Sequence, residues 1–346
     1  MKIRFILAAL YSVFMLSVAT AAEGPAKVRL LYSDESHEDV YLYSYKAGTA
    51  TYKTNLKSLN ILQVKKPRLE AVYFYEPELF IQAMDLYRDK NYAEAKTKFA
   101  ECEEAFKPVD SLPDNYATLA GFYKLECSRK LNDLEALSAE LEKYFKSALT
   151  RESHLQQLEL YAFWDAVRLE DWARLDRLAE AWQGRKLPSE LRVQVEYCHA
   201  LALDALQKED PSRQQEALNA YSRVLSADAT ASMDLVLKAA TNLLRIYAED
   251  PGVQYSIKNW KGGNEKVNST GYQRLMEANS LVKYYKLAGF QDLQPLSPEH
   301  EKFLQYSPQQ VVAAPSQSAE PDVSAPENSD DAKGEEAADP EAEDGQ

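Results

Sequence analysis

Four histidines (His37, His154, His199, His300) and three cysteines (Cys102, Cys127, Cys198) are the side chains of this 346-residue chain best suited to metal or nucleophilic chemistry. No two histidines stand four residues apart, so no helix face offers a pair of imidazoles to one metal ion. No Cys-x-x-Cys pair occurs, which removes the usual zinc and thioredoxin-like arrangements. The chain also lacks a Gly-x-Ser-x-Gly elbow, a P-loop, a Gly-x-Gly-x-x-Gly turn and a His-Glu-x-x-His helix. Carboxylates are plentiful, but a glycosidase pair is defined by separation in space, which a linear sequence does not supply. These residues predict a non-enzymatic protein without metal or cofactor.

Charge and composition divide the chain. Residues 1–21 carry Lys2 and Arg4, an apolar run from Phe5 to Val18, and Ala19-Thr20-Ala21. This is the pattern of a cleaved export signal, and the run is short for a membrane anchor. The expected mature protein starts near Ala22, has no transmembrane segment, and is periplasmic or secreted from a bacterium. Residues 319–346 hold eleven Asp and Glu against Lys333 alone, within a net charge of −14. That balance argues against nucleic acid, whose phosphates need clustered Lys and Arg. From residue 308 the Pro, Ala, Ser, Glu and Asp composition predicts a disordered acidic tail.

Between signal and tail, two textures succeed each other. Residues 22–75 are short runs rich in Val, Leu, Ile, Tyr and Thr, with Ala47-Gly48 placed as a hairpin turn. They predict a small all-β domain of four or five strands, a meander or half-open barrel that packs on the adjoining helical domain. Its tyrosines (Tyr41, Tyr43, Tyr45, Tyr52, Tyr73, Tyr75) either cover strand surfaces or form a binding face. Residues 76–307 turn helical, with expected helices at 77–89, 92–106, 113–131, 133–147, 153–169, 171–183, 188–207, 211–226, 230–249 and 271–288. Pro77, Pro113, Pro188 and Pro211 stand near starts, and Gly184 and Asp250-Pro251-Gly252 near stops. Residues 250–270, with Trp260 and a Gly-Gly pair, predict a long loop of functional interest.

The helices pair, and the pairs share a spacing. Ala83 is followed by Tyr92, Ala95, Phe99 and Cys102. Trp172 is followed by Leu175, Ala179 and Trp182, and Ala217, Tyr221 and Val224 repeat the Ala95, Phe99, Cys102 interval. Small residues let helices approach, and each hairpin leaves an apolar edge for the next. The pattern resembles the tetratricopeptide repeat. The match is good over residues 76–109, fair over 195–228 and weak between them.

The resemblance implies a mainly α protein: a superhelix of helical hairpins behind the small β domain. Its concave face, lined by the first helix of each pair, would bind a protein or peptide. On those first helices it points to Phe80, Met84, Tyr87, Arg88, Tyr123, Lys130, Tyr161, Trp164 and Arg168 as groove residues. Cys102 takes a small-residue position on a second helix and Cys127 lies on the next first helix. The two either form a disulfide stapling adjacent hairpins or pack as small apolar residues. The expected function is an exported scaffold in envelope or secreted-complex assembly, with homo-oligomerisation open. The rival expectation is a carbohydrate- or cell-wall-binding accessory protein using the aromatic β domain and the 250–270 loop.

Overall fold

The computed structural model describes residues 24–226, 232–261 and 269–307. The expected signal (1–21) and acidic tail (308–346) lie outside the described residues. The protein is mostly helical, with a small antiparallel sheet at its N-terminal end. No helix among the described residues is long and apolar enough to cross a membrane.

The sheet comprises β1 (Ala26–Tyr32), β2 (His37–Lys46), β3 (Thr49–Lys53), β4 (Leu62–Lys65) and β5 (Leu69–Phe74). Alternation puts Val28, Leu30, Val40, Leu42, Ala50 and Val64 on one buried face. Ala47 and Gly48 both have positive φ, as a two-residue hairpin turn between right-twisted strands requires. The strand order is β4-β3-β2-β1-β5, so only the first four strands form a meander. A 3₁₀ turn at Lys66–Arg68 carries the chain from one edge strand to the other. Lys66 N–H donates to Gly48 O (2.7 Å) and Arg68 O accepts from Ser33 N–H (3.1 Å), tying together the ends of two hairpins. Bulges at Leu31/Tyr32 and Leu42/Ser44 help the sheet to curl. The result is an antiparallel five-stranded sheet whose last strand has crossed back beside β1.

The helices are α1 (Glu78–Arg88), α2 (Tyr92–Phe106), α3 (Tyr116–Lys130), α4 (Leu134–Leu141), α5 (Glu152–Arg168), α6 (Trp172–Trp182), α7 (Ser189–Leu206), α8 (Gln214–Leu225), α9 (Met233–Glu249), α10 (Pro251–Lys258), α11 (Thr270–Leu287), α12 (Phe290–Leu293) and α13 (Pro298–Glu301). Each of α1 to α11 packs on its chain neighbour. Contacts of α1 with α3, α5 with α7, α7 with α9, and α9 with α11 place the odd-numbered helices in one layer.

Three hairpins are built by one turn chemistry. At 89–91, 131–133 and 169–171 the middle residue (Lys90, Asn132, Glu170) has positive φ. In each, the third N–H reaches back five residues and the second reaches back three: Asn91 to Leu86 and Lys90 to Tyr87, Asp133 to Ser128 and Asn132 to Arg129, Asp171 to Ala166 and Glu170 to Val167. This Schellman geometry satisfies the last carbonyls of one helix and starts the next within three residues. Asp133 and Asp171 then accept from the N–H groups of Ala136 and Arg174.

One expected helix and one expected loop change. The 133–147 helix stops at Leu141 because Tyr144 folds back, its hydroxyl donating to Thr118 O at 2.9 Å and its ring lying against Gly121. The 250–270 stretch is not a long loop: α10 occupies its first part, and 262–268 lie outside the described residues. Asp250 caps α10 through Val253 N–H (2.9 Å) and Pro251 fills the first position, so a supposed stop is also a start.

Apolar side chains from the buried face of the sheet form one continuous core with Phe80, Ala83, Ala95, Phe99, Cys102 and Phe106 of α1 and α2. The sheet is thus packed onto the first hairpin, as expected. A second core runs from Leu125 through α11 to Phe303.

Candidate functional site

The layer of odd-numbered helices carries a polar cluster that begins on α3. Asn115 fixes the entry of that helix: its Oδ1 accepts from Thr118 N–H (2.8 Å) while its amide donates to the Asp110 and Leu112 carbonyls. Beyond it run four turns of mainly apolar sequence, within which Glu126 and Arg129 stand one turn apart. Arg129 donates twice to Glu126, Nε to Oε1 (3.0 Å) and Nη2 to Oε2 (2.7 Å), and both side chains are almost wholly buried.

Neighbouring helices complete the pair. The Tyr161 hydroxyl of α5 donates to Glu126 Oε1 at 2.6 Å. The Arg129 guanidinium stands 5.8 Å from the Trp164 ring centre. Trp164 Nε1–H donates to Gln194 Oε1 (3.0 Å), and Gln157 and Gln194 exchange amide bonds between α5 and α7 (3.1 and 2.8 Å). Buried charges are tolerated only when so paired.

The next layer outward is ionic. Lys130 Nζ, at the end of α3, sits 3.7 Å from Glu190 Oε1 and 3.5 Å from Asp234 Oδ1. Those two acids occupy the first turns of α7 and α9, where the helix dipole also favours a negative charge. Tyr87 of α1 stands edge-on to Tyr92 (5.4 Å) and Tyr123 (5.5 Å) beside the same cluster.

Burial would raise the Glu126 carboxyl, but the Arg129 guanidinium, the Tyr161 hydroxyl and Lys130 hold it below the usual glutamate range. Burial likewise works against the Arg129 charge, and Glu126 outweighs it, so the guanidinium is raised. Glu190 is raised by burial and by Glu126, against the pull of Lys130 and Arg129. Burial lowers the Lys238 ammonium of α9, with Arg129 and Lys130 adding repulsion and Asp234 opposing them. The odd-numbered helices thus hold a buried ion pair inside a shell of fixed donors, acceptors and rings.

Of the expected groove residues, Tyr87, Tyr123, Lys130, Tyr161 and Trp164 come together here. Tyr161 and Trp164 lie beneath the surface, holding Glu126 and Gln194. Phe80 is core instead, its ring packed on Phe99 (5.6 Å), Tyr116 (4.9 Å) and Tyr123 (5.9 Å), and Met84 packs against that core. Arg88 pairs with Asp85 (2.8 Å) in water. Arg168 pairs with Asp165 (2.9 Å) and Glu135 (3.3 Å), apart from the cluster. The sequence reading missed Glu126, Arg129, Gln157, Glu190, Gln194, Asp234 and Lys238. The signal available was a glutamate and an arginine three residues apart inside an apolar helix.

No disulfide joins Cys102 to Cys127. Both keep their thiols and are fully buried, and burial pushes the Cys127 thiol up to about 12. Each fills a small apolar position between packed helices. Trp260 is also committed, stacked on Tyr272 (5.9 Å) and edge-on to Tyr306 (5.5 Å).

No protein-family model, curated protein or solved structure matches the chain.

Proposed function

We propose that the protein is an exported bacterial scaffold whose hairpins form a tetratricopeptide-like superhelix that holds a protein or peptide partner on its inner face. One observation carries this reading. Five helices of successive hairpins contribute to a single polar layer, buried at Glu126, Arg129, Tyr161, Trp164 and Gln194 and reaching the surface at Glu190 and Asp234, with Tyr87, Lys130 and Lys238 beside them. A merely structural layer would bury apolar side chains there. This one spends buried charge on fixing the rim, and rigid positioning of a few polar groups favours recognition of one partner over others.

The carbohydrate reading has less support, because the Trp260 ring is taken up by Tyr272 and Tyr306. The deciding experiment is affinity capture of the mature protein from its host envelope, beside a Glu190→Lys, Lys238→Glu variant. A stoichiometric partner retained by the parent and lost by the variant is expected. Absence of any such partner, or equal capture by the folded variant, removes the proposal.

A further inference from the structure

The β3–β4 loop presents a large apolar patch in a protein that is otherwise acidic. Leu56, Leu59, Ile61 and Leu62 lie within seven residues and are 54, 95, 60 and 41 % exposed. A lone exposed leucine is ordinary, but a group of them on one projecting loop marks a contact surface. The loop is held in shape rather than left loose. Ser58 N–H donates to Asn55 O (3.2 Å), and Asn60 N–H donates to Ser58 Oγ (3.1 Å). These bonds satisfy loop polar groups locally, which eases entry of the tip into a less aqueous layer.

Charge marks what the patch would meet. Between Asp39 and Glu70 the chain has no acidic residue, within a net charge of −14. Lys53 ends β3 beside the loop, and Lys57 lies in the loop itself. Lys46, Lys65 and Lys66 stand at the other end of the ladder, where Thr49 pairs with both Lys46 and Lys65. The acids at the start of β2 are engaged: Asp39 accepts from Arg29 (2.7 Å) and Tyr75 (2.9 Å), and Glu38 from Tyr32 (3.2 Å). Lys53 lies 5.4 Å over the exposed Tyr43 ring, an amphipathic pair of the sort that sits at a bilayer boundary.

We infer that this loop docks the sheet onto a membrane surface containing anionic phospholipid. The aliphatic tip enters the headgroup layer while Lys53 and Lys57 stay with lipid phosphates. Composition separates this occupant from a protein. Protein interfaces are depleted in lysine and enriched in aromatics and arginine, whereas this patch is leucine, isoleucine and lysine. The inference is independent of what the helical inner face holds. It would place that face beside a membrane with no spanning helix among the described residues.

The test is co-flotation of the mature full chain with vesicles of phosphatidylcholine, with and without phosphatidylglycerol. A Leu59→Ser, Ile61→Ser variant and a Lys57→Glu variant run beside it. All three positions are exposed, so circular dichroism should show both variants folded. Binding is expected only to the anionic vesicles, falling at least about tenfold on loss of the two apolar side chains. Reversing the Lys57 charge should weaken it at least about fivefold, and added salt should weaken it further. The inference is overturned if the parent ignores anionic vesicles or if the serine variant binds equally. It is also overturned if a photo-crosslinker at position 59 labels an envelope protein instead of lipid.

Discussion

Glu126 and Arg129 are costly residues to place, and that cost makes them informative. A buried ion pair gains little over an apolar pair of the same shape, but removing one partner leaves the other charge stranded. Glu126→Gln should therefore lower the unfolding free energy by about 3–5 kcal/mol at neutral pH. The pH dependence supplies the sign. The folded carboxyl titrates below its unfolded value of about 4.3, so its contribution is complete above that value. It is lost as pH falls through the depressed folded value. Urea unfolding of parent and variant across an acid series should show their difference greatest near neutrality and narrowing towards acid. A difference that stays constant with pH would show that packing, not charge, is what the substitution removes.

Hairpins were the most legible elements. Periodicity located nearly every helix, and Asp-Lys-Asn, Leu-Asn-Asp and Leu-Glu-Asp lie at the three Schellman turns, where local hydrogen bonds decide the structure. The misses have non-local causes. Nothing near Leu69 says that β5 will cross beside β1. α10 was hidden because Asp-Pro-Gly ends one helix and begins another. The inner cluster was hidden for the same reason as β5, since Glu126 finds Tyr161 and Trp164 finds Gln194 only once hairpins stack. α10 also brings a close crossing to test. A Cβ on Gly271, in the first turn of α11, would overlap the carbonyl group of Gly252 in the first turn of α10. In an open helix Gly→Ala gains up to about 1 kcal/mol from propensity. Here the obstacle is backbone, which cannot rotate aside. Gly271→Ala should be destabilising by about 1–3 kcal/mol. Chemical denaturation decides the sign, and a stabilised variant would mean that the two helices are free to separate.

At the scale of the whole molecule, a stack of hairpins is stable only if its last apolar face is covered. Residues 302–307 supply that cover at the C-terminal end. Phe303 is buried in the second core, and its carbonyl accepts from the buried Asn279 amide of α11 at 2.9 Å. Ser307 Oγ accepts from Lys283 Nζ (3.0 Å), and Tyr306 closes on Trp260. A chain ending at Glu301 should accordingly lose about 3–5 kcal/mol relative to one ending at Ser307, the usual cost of deleting a buried phenylalanine side chain. Because each hairpin leans mainly on its neighbours, the loss should not spread evenly. Amide exchange should quicken in α9 and α11 while the sheet, α1 and α2, which share a separate core, keep their protection. Uniform acceleration across both cores would show instead that the two unfold as one cooperative unit. Unchanged exchange in α11 would mean that its apolar face has no need of this cover.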